Sequence, residues 1–388
     1  MILKKGKDVF VRRHHPWIFS GAIAQMTGEP EEGDRVNVID NKGEQLATGH
    51  FQEGSIRIRI IQHGMDEPAS TFWQDRISNA YQSRQMLGLM SEQNNAYRLI
   101  HGAGDRLPGL VIDMYNKTAV VQCHSMGMYK ERAAIAKALQ HIFGDGLENI
   151  YTKGKTTLPQ RFNQEVEDTY LLGSEAKQII TENGHQFVVD PVHGQKTGFF
   201  LDQRENRALL AEYAKGKTVL NTFCYTGGFS IYALKAGAIS VDSVDVSAKA
   251  MDVTDENVAL NTSNEDRHQS HKSDVLQFLR DSEKQYDIVV VDPPAYAKSV
   301  KKRHRAVQGY KRLNAEAMKQ VKPGGLLFTF SCSQVVDRAL FQNTIVAAGL
   351  ESKRQARVLH QLTQGPDHPV NLFHPEGAYL KGLVLQVD

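Results

Sequence analysis

The stretch from Thr218 to Asp245, TVLNTFCYTGGFSIYALKAGAISVDSVD, constrains the fold of this chain more than any other. Residues 218–223 read as a buried strand, 229–236 as a helix, and 240–244 as a second strand that ends on an acid. Tyr225, Thr226, Gly227 and Gly228 stand where the first strand gives way to the helix. Glycine there lets backbone approach a ligand closely, and a helix N-terminus favours polar or anionic groups. Asp245 closes the second strand, where an acid can take the two hydroxyls of a ribose.

The alternation continues to the C-terminus. A helix at 247–261 leads to a short strand ending at Asp274, then a helix at 275–281. A fully apolar strand at 286–291 runs into Asp292-Pro293-Pro294. After a basic helix, a strand at 326–330 runs into Ser331-Cys332-Ser333, and another helix precedes terminal strands near 353–359 and 379–387. Strands alternating with helices imply an α/β domain with a mostly parallel sheet. Ligands of such sheets bind outside the carboxyl ends of the strands. Tyr225 to Gly228, Asp245, Asp274, Asp292 and Cys332 all fall at such ends.

With 388 residues, the chain exceeds one ordinary core. Residues 1–68 show short strands at 35–40, 45–51 and 55–62, with Asn41-Lys42-Gly43 as a hairpin turn; they suit a small β-barrel. Residues 69–180 read as a mixed α/β middle domain, with helices near 68–90 and 129–143 and strands near 97–100, 110–115, 118–124 and 149–153. Its His101, Asp105 and Arg106 read as loop residues rather than a site. Residues 181–388 form the third domain, opened by a hairpin at 184–207 that leads into a helix. Hydrophobic content of 41% and charged content of 23% are those of a soluble globular protein. No run approaches the ~20 apolar residues of a membrane helix, and the basic N-terminus lacks an apolar signal core, which points to the cytoplasm. The three cysteines lie far apart, so neither a disulfide framework nor a metal site is expected.

A dinucleotide site would want G-x-G-x-x-G after the first strand, and this chain has only T-G-G with no Walker lysine. An adenosine with an amino-acid tail fits better, and that ligand is S-adenosylmethionine. Asp245 would hold the ribose, Asp274 the adenine amino group with Val275 beside the ring, and Tyr225 to Gly228 the methionine portion. Asn221, Phe223, Val246, Asn257 and Asp292 complete the expected pocket within the fold. Lys196, Thr197, Phe199 and Asp202, from the segment before the first strand, are candidates to close over the cofactor.

VLNTFCYTGGFS, VDVSAKAMDVTDENVALN, VVVDPPAYAKS, FTFSCS and the tail PDHPVNLFHPEGAYLKGL together resemble the RlmI-like class of bacterial methyltransferases. RRHHPWIFSGAI resembles the start of that family's N-terminal PUA domain, GAGDRLPGLVIDMY its middle domain, and GQKTGFFLDQR its hairpin. The resemblance extends along the whole chain. It implies a Rossmann-like class I methyltransferase fold with a seven-stranded sheet, S-adenosylmethionine as cofactor, and 5-methylcytosine formation in 23S ribosomal RNA or an assembling large subunit. It also implies a homodimer. The same architecture occurs in relatives that methylate a guanine nitrogen. A non-catalytic RNA-binding assembly factor that keeps a cofactor pocket is the alternative from another class.

Cytosine C5 is a poor nucleophile until a thiolate adds to C6. The chemistry therefore wants a cysteine, a group facing the N3/N4 side of the ring, and a base for the C5 proton. Cys332, at a strand's carboxyl end between two serines, is the expected nucleophile; Cys224 belongs to the cofactor loop and Cys123 lies outside the domain. Asp292, stiffened by two prolines, is expected to orient the base. Glu376 resembles the position of a C-terminal glutamate in related single-cysteine pyrimidine methyltransferases and is the expected base.

RNA contacts are expected from two places. Residues 296–312 hold seven Lys/Arg and no acid, directly after the Asp-Pro-Pro loop. Lys298, Lys301, Lys302, Arg303 and Arg305 would neutralise phosphates there, with Tyr296 stacking on a turned-out base. Arg12 and Arg13, before Pro16-Trp17, would contact RNA from the barrel.

Overall fold

The computed structural model describes residues 1–175, 177–297 and 299–388, with Glu265 by its backbone alone, and the chain divides into two compact units. The first comprises Met1–Thr181, Val189–Leu201 and Pro366–Gly377; the second comprises Glu182–Val188, Asp202–Gly365 and Ala378–Asp388.

The first unit carries two sheets. β1 (Ile2–Leu3), β2 (Trp17–Phe19), β3 (Ile23–Gln25), β4 (Arg35–Ile39), β5 (Gln45–Phe51) and β6 (Ile56–His63) form one in the order β2-β6-β5-β4-β1-β3, with α1 (Asp8–Arg12) between its first two strands in sequence. Alternation along β6 buries Ile58 and Ile60, while Arg57 and Arg59 lie on the other side. Those isoleucines join Leu3, Val11, Ile18, Val38 and Phe51 in a core confined to residues 1–60. The second sheet has the order β11-β10-β9-β8-β7, from β7 (Ala96–His101), β8 (Leu110–Tyr115), β9 (Thr118–Cys123), β10 (Asn149–Lys153) and β11 (Thr169–Leu172). α2 (Phe72–Met86), α3 (Met126–Lys130) and α4 (Arg132–Phe143) accompany it around a separate core of residues 61–166. The single helix expected near 129–143 is thus two, broken at Glu131.

The glycine-rich loop after β7 does more than turn the chain. Arg84, 1% exposed, grips Asp105 with both terminal guanidinium nitrogens (2.5 and 2.7 Å) and donates to the Asp367 carbonyl at 3.0 Å. Asp367 in turn accepts from the Arg98 backbone at 3.0 Å, and Asn371 donates to the Ala103 carbonyl at 3.0 Å. A Cβ on Gly104 would stand 2.0 Å from the Pro369 carbonyl oxygen, so glycine is what lets segment Pro366–Gly377 lie against this loop.

β12 (Gln178–Glu182) and β13 (His185–Val189) form a hairpin whose turn is Asn183-Gly184, with φ of +48° and +75°. The expected hairpin at 184–207 therefore began at the real turn. Asn-Gly with both φ positive is the centre of a type I′ hairpin, not its start.

The second unit opens with α5 (Arg204–Ala214) and is built on β14 (Thr218–Thr222), α6 (Gly228–Lys235), β15 (Ser240–Asp245), α7 (Ala248–Asn261), β16 (His268–Lys272), α8 (Val275–Asp281) and β17 (Tyr286–Val291). α9 (Arg303–Gln320), β18 (Val321–Ser331), α10 (Arg338–Ser352), β19 (Ala356–Leu362) and β20 (Lys381–Val387) complete it. The sheet has seven strands in the order β16-β15-β14-β17-β18-β20-β19. The first five are parallel; β20 runs antiparallel between β18 and β19. This is the Rossmann-like class I methyltransferase arrangement. A buried ion pair braces α5: Arg207 donates to both oxygens of Glu182 at 2.9 and 2.8 Å, and the Tyr232 hydroxyl adds a third bond at 3.0 Å.

Candidate functional site

β15, β14, β17 and β18 are parallel neighbours, so their carboxyl ends share one edge of the sheet. From β14 the order runs to β15 on one side and to β17 on the other, which makes this the topological switch point. Cys224 to Gly228, Asp245, Asp292 and Cys332 all follow or end these strands.

The turn after β14 is strained. Phe223 and Tyr225 have φ of +53° and +50°, and Gly227, the N-cap of α6, has φ of +79°. Holding two bulky residues in the left-handed region costs on the order of 1–3 kcal/mol each. The surroundings hold the turn from several sides: Asp245 accepts from the Tyr225 backbone at 3.1 Å, Thr254 donates to the Tyr225 carbonyl at 2.9 Å, and Asn257 donates to the Thr226 carbonyl at 2.8 Å. A Cβ on Gly227 would fall 2.7 Å from Thr254 Cγ2, so the turn cannot be filled there.

The expected cofactor residues divide by what their side chains already do. The Asp245 carboxylate is half-buried and also accepts from the Ser247 backbone at 3.0 Å, which fixes it at the strand end. Asn221, 1% exposed, donates to Ser230 Oγ at 2.8 Å beneath the turn, and Asn257 accepts from the Val188 backbone at 2.8 Å; both brace the loop from inside. Asp274 is exposed and caps α8 by accepting from the Gln277 backbone at 2.9 Å. Val275 is buried in the core, whereas Val246 is exposed and Phe223 half-buried. Asp202, also in this unit, accepts from the Tyr379 hydroxyl at 2.6 Å.

Gln203 is a participant that sequence reasoning missed. It donates to Asp292 Oδ2 at 2.9 Å and accepts from Asn206 at 2.6 Å, a relay that sets the carboxylate's orientation. Its one signal is its place one residue before α5, and its bond to Asp292, 89 positions away, is not announced by any local pattern.

Burial separates the three thiols. Cys123 is fully buried and its thiol is pushed up to about 12. Burial, with Asp245 nearby, pushes the Cys224 thiol up further. Burial of this kind disfavours the thiolate, which is the nucleophilic form. Cys332 alone is partly exposed. Next to it, Ser333 Oγ and the Tyr310 hydroxyl lie 2.9 Å apart, and the Tyr310 ring meets Tyr296 at a centroid distance of 4.7 Å. A Cβ on Gly309 would come within 2.9 Å of the Tyr296 ring, so that glycine seats the tyrosine.

The basic segment keeps its charge available. Lys301, Lys302, Arg303 and Arg305 are exposed and have no carboxylate partner among the described residues; Lys298 lies outside the described residues.

Other expected residues sit in the first unit. Lys196 has φ of +49° and its ammonium lies 4.5 Å from the Phe200 ring centroid. Phe199 is buried, and the Thr197 hydroxyl donates to Asp113 at 2.6 Å. Arg12, expected to contact RNA, is exposed and pairs with Asp8, Asp40 and Glu44 at 2.9, 3.0 and 2.5 Å, because α1 sets Asp8 one turn before it and the β4–β5 turn supplies the other two. Arg13 is exposed. Glu376 lines a cavity of 410 Å³ with Lys7, Phe10, His15 and Trp17, and its ligand atom, with those of His15 and His374, falls within a 4.8 Å cluster.

Two family models match. One is described as an S-adenosylmethionine-dependent methyltransferase and covers residues 97–383; the other, a PUA-like domain, covers residues 1–63. Ribosomal RNA large subunit methyltransferase I of Alteromonas mediterranea is 39% identical over 393 residues, covering 100% of this chain and 98% of that protein. The protein of the same name from Shewanella frigidimarina is 40% identical over 395 residues, covering 99% and 98%. Among solved structures, a Streptococcus mutans protein provisionally assigned as an S-adenosylmethionine-dependent methyltransferase superposes with a TM-score of 0.85 at 23% identity, covering 100% of this chain and 99% of that one, a likeness of fold. No helix among the described residues is long and apolar enough to cross a membrane.

Proposed function

Since the chain belongs to the S-adenosylmethionine-dependent methyltransferase family, and its curated relatives are named ribosomal RNA large subunit methyltransferase I, we propose that it methylates C5 of a cytosine in large-subunit ribosomal RNA. The observation that carries this reading is a partly exposed cysteine at the carboxyl end of β18, two strands from the cofactor turn, in a chain whose other two thiols are buried.

The residues fit the cofactor. The turn after β14 packs tightly at Gly227, where Thr254 leaves no room for a Cβ, beside a half-buried carboxylate at the end of β15. Bound there, S-adenosylmethionine supplies an electrophilic methyl group. Tyr225 to Gly228 and Asp245 would hold it, with Asp274, Val275 and Val246 near the adenine end.

Cys332 Sγ bonds to C6 of the cytosine, which breaks the C5–C6 double bond and places the electron pair on C5. Asp292, oriented by Gln203, accepts from the exocyclic amino group and fixes the ring's N3/N4 side. Once C5 carries the methyl group, a base takes the C5 proton. The released pair re-forms the double bond and the C6–S bond breaks. Residues 1–68 serve as the RNA-binding barrel, 69–180 as the middle domain and 181–388 as the catalytic domain. Arg13, Tyr296, Lys298, Lys301, Lys302, Arg303 and Arg305 meet the RNA.

The test is a product analysis. Unmodified large-subunit RNA, as naked RNA and as particle, is incubated with isotopically labelled S-adenosylmethionine, digested to nucleosides and analysed by mass. Label in 5-methylcytidine supports the reading; label in an N-methylguanosine overturns it.

A further inference from the structure

Strand register brings a cation to the nucleophile. Ser331, the last residue of β18, pairs across the ladder with Lys381, the first residue of β20, so Lys381 stands beside the peptide that leads into Cys332. Lys381 is only 5% exposed. Burying an ammonium is costly unless its hydrogens are matched, and few lysines are found so deep without a task. Its Nζ donates to the Ser333 carbonyl at 2.8 Å and to the Tyr379 carbonyl at 2.7 Å, and to no third group among the described residues.

Two carbonyl acceptors suit a neutral amine as well as an ammonium. Each holds one hydrogen in both states. The remaining position is a lone pair in the amine and an N–H in the ammonium. Such an amine can accept a proton without losing either tether. We propose that Lys381 is the proton acceptor of Cys332: it takes the thiol proton as Sγ bonds to C6 and holds the thiolate as an ion pair when Sγ leaves. The S–H bond breaks, an N–H bond forms, and the sulfur's electron pair goes to C6. This rests on the reading of Cys332 as nucleophile.

Burial lowers the Lys381 ammonium to about 8, with Cys332 and Asp337 drawing it upward and Arg338 downward. An amine in that range is partly deprotonated at working pH, as a proton acceptor must be. Only the antiparallel register reveals this basic neighbour of Cys332.

The experiment measures alkylation of Cys332 by iodoacetamide from pH 5 to 10, by peptide mass analysis, in the full chain without RNA. Wild type, Lys381→Gln and Lys381→Arg are compared, with S-adenosylmethionine binding as the check that each is folded. The wild-type midpoint is expected below that of an ordinary thiol at about 8.5, and Lys381→Gln should raise it by about one unit, a tenfold loss of thiolate near neutrality. Lys381→Arg should keep the low midpoint, because the charge remains, yet slow methylation, because a guanidinium cannot accept the proton. An unchanged midpoint in Lys381→Gln overturns the proposal, as does full methylation by Lys381→Arg. The alkylation profile does not depend on which base is modified. A product other than 5-methylcytidine would therefore overturn the functional reading separately.

Discussion

Gly227→Ala is the substitution whose consequences the cofactor turn fixes most tightly. Gly227 sits at φ +79°, and alanine in the left-handed region costs about 1–2 kcal/mol. Its Cβ would also stand 2.7 Å from Cγ2 of Thr254, which is fully buried and tied through its hydroxyl to Tyr225 and Ala250 at 2.9 Å each. Overpacking of that kind adds about 1–3 kcal/mol, for a total of about 2–5 kcal/mol. Gly216 is the control: φ is +71°, yet nothing lies within 4 Å of its Cβ position. Gly216→Ala should therefore show the conformational cost alone. Thr254→Ser removes the obstructing methyl group, so it should restore about 1–3 kcal/mol to Gly227→Ala while costing the parent about 1 kcal/mol. The assays are denaturant unfolding for stability and calorimetry for S-adenosylmethionine, whose affinity should fall about tenfold or more, at least about 1.4 kcal/mol, in Gly227→Ala but not in Gly216→Ala. Equal destabilisation by the two alanines, or no rescue by Thr254→Ser, refutes the reasoning.

Further outcomes follow from the same structure. Arg207→Met leaves the Glu182 carboxylate buried and short of two bonds, so it should cost about 3–5 kcal/mol in unfolding free energy, most of it regained when Glu182→Leu is added. Replacing Lys301, Lys302, Arg303 and Arg305 together by alanine should lower the slope of log affinity for RNA against log salt by about 3, measured by filter binding, with S-adenosylmethionine affinity unchanged. Gln203→Ala should lower the methylation rate about tenfold while stability changes little, because Asp292 keeps its place but loses its orienting donor.

Much of the second unit was legible because its signals are local. The apolar run of β17 and the bounds of α8 at Val275–Asp281 match the sequence reading residue for residue, since β-branched runs and an aspartate cap depend only on neighbours. That locality has limits. Asp274 reads from sequence as an acid at a strand end, and in the structure it also caps α8. Sequence does not say which way a side chain near a turn will face; Asn221 donates to Ser230 and Asn257 to the Thr226 carbonyl. The ion pairs of Arg12 with Asp40 and Glu44 were not legible, because those partners arrive from another turn. The assignment of Pro366–Gly377 to the first unit was beyond reach: Arg84 and Asp367 are 283 positions apart, and no local pattern announces their bond. Lys381 was hidden for the same reason, since an antiparallel last strand brings it back to Cys332.

The central claim, that Cys332 activates cytosine C5, is tested most directly by tritium release. Ribosomal RNA carrying tritium at cytosine C5 is incubated with S-adenosylmethionine and either the wild-type chain or Cys332→Ser. Release by wild type in step with methylation, and none by Cys332→Ser, which should still bind S-adenosylmethionine, is the predicted result. Methyl groups entering the RNA while tritium stays in place would contradict it, because the acceptor would then be another atom and Cys332 would not be its nucleophile.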